Sequence, residues 1–210
     1  MNKRTLKYKR LLGVGLALAV FLGGIGIIQR IIDDQANQFE DESVVKVEDT
    51  NKKTDEEEKK VETLKAPVKD GIGIVRYYYN KDDDSSKQEQ SLILFEGVYR
   101  PNQGVDYANK NEKFDVIASI SGTVTKKTND PVLGLVVTIT NADKISTTYQ
   151  SLSKVNVELN AQVKQGDVIG VSGENVYEAD LKNHLHFIVQ KDDKMLNPEK
   201  CIGQPLNSIK

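Results

Sequence analysis

The chain has 210 residues, which is enough for one medium-sized domain and additional segments. Its 29 Lys and Arg residues nearly balance its 31 Asp and Glu residues, and the formal net charge is -2. Because phosphate-binding proteins need a basic excess or a basic patch, this balance argues against nucleic acid as the main partner. The single cysteine, Cys201, excludes an intrachain disulfide framework and is expected to be a small half-buried apolar residue.

The N-terminal segment has the pattern of a membrane anchor. Residues 1–10 contain five basic residues and no acidic residue, and residues 11–28 contain no charged side chain. An apolar helix of this length, at about 1.5 Å per residue, just spans a hydrocarbon core of roughly 30 Å. We predict a cytoplasmic tail over residues 1–10 and a transmembrane anchor over residues 11–32, with the rest of the chain extracytoplasmic. A cleaved signal peptide is disfavoured because residues 25–29 are bulky where cleavage needs small residues.

A charged stalk is predicted to follow the anchor. Residues 33–65 are polar and rich in acidic side chains, most densely from Asp55 to Lys60. Such a segment has too little apolar surface to offset the entropy lost on ordering, so we expect it to be disordered or partly helical. Ala66 and Pro67 mark the predicted start of an extracytoplasmic domain over residues 66–210.

The sequence after Ala66 is typical of β-structure. Short runs of β-branched and aromatic residues are separated by Gly, Asn and Asp turn signals, and no long stretch has a 3.6-residue period. This spacing predicts an all-β domain built from antiparallel sheet, either a sandwich or a folded-over sheet. The predicted strands are residues 73–79, 92–95, 114–118, 123–126, 135–140, 145–149, 168–171 and 186–189.

The only two histidines of the chain, His184 and His186, lie two residues apart in a strand-like run over residues 184–190. Side chains at positions i and i+2 of a strand point to the same face. Two imidazoles on one face can bind a metal ion or transfer protons. The pair therefore predicts part of a site that other segments must complete.

Five motifs occur in a fixed order around this pair and resemble those of the lysostaphin/LytM-type zinc endopeptidases of peptidoglycan. The family motifs are His-x-Gly-x-Asp, V-x-A-x-x-x-G-x-V, Tyr-x-His-Leu, V-x-x-G-x-x-I-G and His-Leu-His-Phe. The resemblance covers about residues 98–198 and implies a LytM-type β domain. The motifs of this chain are NQGVD (102–106), VIASISGTV (116–124), TYQSL (148–152), VKQGDVIG (163–170) and HLHF (184–187).

The resemblance implies a zinc site in which two positions are altered. In the family, three protein ligands hold zinc and two further histidines carry protons. Asp106 and His186 match zinc ligands, and His184 matches a proton-carrying histidine. Asn102 stands at the third ligand position and Ser151 at the second proton-carrying position.

These substitutions predict a domain without catalytic activity. An amide oxygen is a poor zinc ligand compared with an imidazole nitrogen. Loss of one general acid–base lowers the rate by about 10²–10⁴-fold. We therefore expect no bound zinc and no other cofactor, with Asp106, His184 and His186 left as a vestigial polar cluster that is hydrogen-bonded internally and to Asn102.

Segments before the first motif extend the resemblance. Residues 66–68, 74–79 and 95–107 are similar to the stage II sporulation protein Q family of endospore-forming bacteria. That family combines one membrane helix, a charged stalk and an often degenerate LytM-type domain. The resemblance implies a single-pass protein of the forespore membrane whose domain lies in the intermembrane space. It further implies a non-catalytic binding module that takes part in engulfment and in an intercellular channel, with a stage III sporulation protein AH-like mother-cell membrane protein as partner.

Other functions stay open at this point. One is a zinc-dependent peptidoglycan endopeptidase with an unusual ligand set, and another is an activator of a separate cell-wall hydrolase. Within the binding class, stage IV sporulation protein FA is an alternative family, and weak contact with peptidoglycan is also left open. The polar residues 80–90 are expected to form a protruding loop near a free sheet edge, where a partner strand could add to the sheet.

Overall fold

β-Strands form most of residues 61–210, the part of the chain that the computed structural model describes. The predicted cytoplasmic tail and membrane anchor, and nearly all of the predicted stalk, lie outside these residues. Within residues 61–210, no helix is both long enough and apolar enough to span a bilayer.

Twelve strands are present in residues 61–210, and all eight predicted strands are among them. The helices of this region are short: α1 (Ser85–Glu89), α2 (Pro198–Cys201) and two 3₁₀ turns, Ala179–Leu181 and Leu206–Ser208. The strands are β1 (Gly73–Arg76), β2 (Leu92–Phe95), β3 (Val98–Pro101), β4 (Val105–Ala108), β5 (Asp115–Ile117), β6 (Gly122–Asp130), β7 (Gly134–Thr140), β8 (Ile145–Val155), β9 (Gln162–Val163), β10 (Val168–Ser172), β11 (Leu185–Lys191) and β12 (Lys194–Leu196).

Four strands, β3, β4, β9 and β12, do not follow from the sequence pattern. Strands β9 and β12 have only two and three residues, which is too short for an alternating pattern to show. Strand β3 includes Arg100 and Pro101, and β4 carries Asp106 between apolar neighbours. Pairing with neighbouring strands decides where these four strands form. A local sequence pattern holds no information about that pairing.

Ten of the strands form one antiparallel sheet, which confirms the predicted antiparallel β-domain. The order along the sheet is β1-β4-β11-β8-β7-β6-β9, while β2 and β3 form a separate two-stranded sheet. Strand β8 pairs with β11 up to Gln150 and with β10 from Leu152 onwards. Between them, Ser151 has a φ of 62°, so β8 bends where it changes partner and the sheet folds over.

The buried apolar side chains form one core cluster with members from each of the strands β4 to β11. The rings of Tyr149 and Phe187 pack with their centroids 5.4 Å apart, and the Tyr149 hydroxyl accepts a 2.7 Å hydrogen bond from the Ser119 backbone amide. Cys201 is buried, and burial raises the pKa of its thiol. Further fully buried side chains are those of Val105, Val124, Ile139, Ile169 and Leu185.

Packing begins upstream of the predicted domain start at Ala66. Leu64 is fully buried in the core, and its backbone amide donates a 3.0 Å hydrogen bond to the carbonyl of Gln204. Thr63 forms a β-bridge with Pro205 near the C-terminus. Residues 63–64, at the start of the domain, are therefore hydrogen-bonded to residues 204–205 near its end.

Glycine at position 122 is required by the close approach of β6 and β7. A Cβ atom there would lie 2.5 Å from the Thr140 carbonyl oxygen, whereas a Cβ at Gly73 would meet nothing within 4 Å. We expect Gly122→Ala to lower the free energy of unfolding by about 1–3 kcal/mol, because the backbone must shift. Gly73→Ala, the matched control, should change it by less than about 0.5 kcal/mol. Urea unfolding of both variants tests this, and equal stabilities would contradict it.

Candidate functional site

Cross-strand pairing places three charged side chains in one row. Asp106 in β4 lies opposite His186 in β11, and Arg76 in β1 lies opposite Asp106 on its other side. Residues that lie directly opposite each other on neighbouring strands project to the same face of the sheet. The row therefore brings a guanidinium, a carboxylate and an imidazole together at the end of the sheet.

A β-bulge directs Arg76 into this row. The register of β1 against β4 shifts between Ile74 and Arg76, which leaves Val75 as the extra residue. Bulges of this kind change the direction of the following side chain. Val75 is 47% exposed, whereas Arg76 is only 7% exposed. The sequence-based interpretation did not include Arg76 in the site.

Asn102 and Asp106 are joined by a hydrogen bond. The Nδ2 of Asn102 donates to Oδ2 of Asp106 at 3.1 Å, and Oδ1 of Asp106 is 2.7 Å from Nδ1 of His186. The Oδ1 of Asn102 accepts a 3.1 Å hydrogen bond from the Gly104 backbone amide. The one oxygen of Asn102 that could bind a metal ion is thus directed at the backbone and away from Asp106.

Ser151 and His184 form a second part of the cluster. The Nδ1 of His184 lies 2.8 Å from the Lys182 carbonyl oxygen, so it carries the proton and donates. Burial alone would lower the pKa of His184, but Glu178 and the Lys182 carbonyl outweigh burial and raise it. In the protonated ring, Nε2 donates to the Ser151 hydroxyl oxygen at 2.8 Å and faces Oε2 of Glu178 at 3.3 Å. Asn175 lies 2.5 Å from the same hydroxyl oxygen, which leaves no room for an imidazole at position 151 without movement of Asn175.

Glu178 connects the two histidines and was not predicted from the sequence. Its side chain is fully buried, with Oε2 at 3.3 Å from Nε2 of His184 and Oε1 at 3.3 Å from Nδ1 of His186. Asn175 donates a 3.2 Å hydrogen bond to Oε2. Glu178 lies in the connection between β10 and β11, outside all five motifs, and no spacing in the sequence points to it.

Mutual electrostatic interaction decides the ionisation of this cluster. Burial alone would lower the pKa of His186, but the carboxylates of Glu178 and Asp106 outweigh burial and raise the pKa to about 10. Burial raises the pKa of Asp106 despite the nearby His186. For Glu178, burial is outweighed chiefly by His186 and His184, which lower its pKa. His186 is therefore protonated and Glu178 ionised at neutral pH, as an internal ion pair.

The five residues singled out from the sequence all lie in this cluster, together with Arg76 and Glu178. Asp106, Ser151 and His184 are fully buried, and His186 is 5% exposed. An open cleft of about 510 Å³ reaches the cluster only at Asn102 and His186. A substrate in this cleft would meet the edge of the cluster and not its interior.

The arrangement does not fit a zinc ion. Asp106, Glu178 and His186 offer ligand atoms that lie within 4.8 Å of one another. However, Nη1 of Arg76 lies 3.7 Å from Oε1 of Glu178 and 4.0 Å from Oδ2 of Asp106. A second cation among these atoms would be repelled by the guanidinium, and Nδ1 of His186 is already hydrogen-bonded to Asp106.

The fold, with Asp106 and His186 side by side on neighbouring strands, defines a LytM-type β-domain. Residues 100–198 match the model of Peptidase family M23. The match starts at β3 and ends after β12, so it includes the strands that carry Asp106 and His186.

Comparison with individual proteins identifies the family. The chain is 39% identical to stage II sporulation protein Q of Bacillus subtilis (strain 168) over 198 residues, which are 92% of this chain and 70% of that protein. The chain belongs to the stage II sporulation protein Q family. Its structure is similar to a chain of the SpoIIQ–SpoIIIAH pore-forming complex, with a TM-score of 0.68 and 42% identity over 70% of this chain and 96% of that chain. A second structure of a SpoIIIAH and SpoIIQ complex matches with a TM-score of 0.64 and 42% identity over 66% and 99% of the two chains.

Glu178 is expected to be essential for stability. Glu178→Gln keeps the size of the side chain. Within residues 61–210, it leaves two buried cations, Arg76 and His186, with Asp106 as their only fully buried carboxylate partner. We expect the free energy of unfolding to fall by about 3–5 kcal/mol, as when a buried ion pair loses one member. The exposed Glu174 provides the control Glu174→Gln, which should be neutral. Chemical denaturation measures both, and a neutral Glu178→Gln would contradict the prediction.

Proposed function

We propose that this chain is a non-catalytic, membrane-anchored binding module of a sporulation complex. The observation that carries the proposal is the 42% identity to the chain that was solved in complex with SpoIIIAH, across nearly the whole of that chain. The partner is then a stage III sporulation protein AH-like protein of the mother-cell membrane. The complex joins the two membranes during engulfment and channel assembly.

The proposed topology follows from the sequence. Residues 1–10 lie in the cytoplasm, residues 11–32 cross the forespore membrane and residues 33–65 form the stalk. The described domain then lies in the intermembrane space, where a mother-cell protein can reach it. The five basic residues before the apolar run support this orientation.

The geometry of the site supports the absence of peptidase activity. Asn102 and Ser151 replace a ligand and a proton carrier, and Arg76 places a fixed positive charge beside the remaining carboxylates. A zinc endopeptidase of this family would need the Asp106 carboxylate for its metal. The two alternatives, an endopeptidase and a hydrolase activator, have no specific contact in the described residues that favours them.

Residues 80–90 are proposed to contribute to the partner surface. They follow β1, which is the last strand at one end of the sheet, and they include the short helix α1, in which no residue is buried. Asn102 holds the ends of this segment: its carbonyl accepts from the Tyr79 amide and its amide donates to the Ser91 carbonyl, both at 2.9 Å. The segment therefore has a fixed base next to the last strand of the sheet and offers side chains that are not buried.

Replacing residues 80–90 with a short Gly-Ser linker should weaken partner binding by at least tenfold and leave the fold intact. The fold should survive because Tyr79 and Ser91 both lie beside Asn102, so a short linker closes the gap. Binding to the stage III sporulation protein AH homologue is measured by co-purification and by biolayer interferometry, with circular dichroism as the test of folding.

The control for this experiment is Asp143→Ala, which removes one exposed acidic side chain in the turn between β7 and β8. Unchanged affinity of the linker variant would exclude residues 80–90 from the interface. Failure of the unaltered protein to bind would contradict the proposed partner itself.

Purified protein should not cleave peptidoglycan. We expect dye-labelled peptidoglycan to release label at the same background rate with the natural chain and with His186→Ala, while an active M23 endopeptidase serves as positive control. Cleavage that is lost in His186→Ala and on addition of a chelator would show a zinc endopeptidase and would overturn the non-catalytic proposal.

A further inference from the structure

We propose that the guanidinium of Arg76 is the resident cation of the altered metal site, and that Asp106, Glu178 and His186 become a site for a divalent metal ion such as Zn²⁺ when Arg76 is removed. These residues lie in the interior of the domain, so this role of Arg76 does not depend on the partner of the proposed complex.

The position of Arg76 is decided by contacts on two sides. Its Nη2 lies 2.5 Å from Oδ2 of Asp180, which is in the 3₁₀ turn Ala179–Leu181 next to Glu178. Its Nη1 faces inwards, at 3.7 Å from Glu178 and 4.0 Å from Asp106. One end of the guanidinium is thus bound at the surface, and the other end lies between two buried carboxylates.

Two buried polar atoms at this point make no hydrogen bond with any residue of the described part of the chain. They are Nη1 of Arg76 and Oε1 of Glu178, which face each other across 3.7 Å. Both side chains are more than nine-tenths buried. Buried polar groups normally have hydrogen-bond partners. The distance between these two atoms is too long for a hydrogen bond, so the Arg76 guanidinium and the Glu178 carboxylate attract each other through their charges.

The charges around Arg76 match those of a metal centre. Two carboxylates in a water-excluded interior need nearby positive charge, because a buried unpaired charge is strongly unfavourable. Arg76 supplies that charge together with His186. Without Arg76, the two carboxylates and the imidazole would offer three ligands of types that zinc accepts, with ligand atoms within 4.8 Å of one another.

This ligand set differs from the one that the family motifs imply. The motifs assign the third ligand to the position of Asn102, whose oxygen is directed at the Gly104 amide. Glu178 lies outside the motifs and reaches the cluster from the connection between β10 and β11. The site opened by loss of Arg76 would therefore use an oxygen from a different segment of the chain.

Metal binding to the full-length protein in detergent tests the proposal. Equilibrium dialysis with elemental analysis should find no stoichiometric zinc in the natural chain, and neither Zn²⁺ nor EDTA should change its melting temperature. Arg76→Met should bind one Zn²⁺ per chain, at least tenfold more tightly than the natural chain, and its melting temperature should rise with Zn²⁺. Co²⁺ bound to this variant should give visible ligand-field absorption.

Two control variants separate this site from surface binding. Arg76→Met/Glu178→Gln should lose the gained zinc, because one carboxylate ligand is removed. Arg100→Met, which removes an arginine that contacts the Phe95 ring, should behave like the natural chain. Zinc that is bound equally by the double variant would place the metal elsewhere and would overturn the proposal.

The remaining outcomes also decide the question. Stoichiometric zinc in the natural chain would show that Arg76 does not replace the metal. A folded Arg76→Met that binds no zinc would show that the three residues do not form a site. If Arg76→Met does not fold without metal, its refolding yield should increase with Zn²⁺, and a yield that is independent of Zn²⁺ would overturn the proposal.

Discussion

Neutralisation of buried charge is the constraint on which the end of the sheet at β1, β4 and β11 depends. Asp106 and Glu178 are fully buried, and a buried carboxylate costs several kcal/mol unless a cation lies close to it. Arg76 and His186 supply the positive charge. Each charged group comes from a different part of the chain, so the bulge in β1, the pairing of β4 with β11 and the β10–β11 connection are coupled by one electrostatic requirement.

The same constraint applies to metal enzymes of this fold, which meet it in another way. In a metal enzyme of this fold, the metal ion balances the carboxylates and also activates water. In this chain, a guanidinium and an imidazolium balance them, and a guanidinium has neither an open coordination position nor Lewis acidity. The cluster then acts as a structural element that fixes the strand arrangement. In the proposed function, recognition is assigned to the edge of β1 and to residues 80–90, which lie outside this cluster.

Local pattern predicted much of the fold. Eight strands could be predicted because alternating apolar residues and turn signals can be read from residues that are neighbours in the sequence. The strands β9 and β12 could not be predicted in the same way, because two or three residues contain no period. The sequence also did not predict that β8 bends at Ser151. The φ of 62° at this serine is imposed by the surrounding structure and has no signal in the local sequence.

The sequence by itself determined the family motifs and the five positions Asn102, Asp106, Ser151, His184 and His186, because each lies at a fixed spacing within a short segment. Only the tertiary structure showed that Arg76 and Glu178 belong to the same cluster. Arg76 enters through a one-residue bulge that changes the direction of its side chain, and Glu178 enters from a connection without regular period. The cation that balances the buried carboxylates is decided by distances between segments that are far apart in the sequence. Folding sets those distances, so the sequence pattern does not contain them.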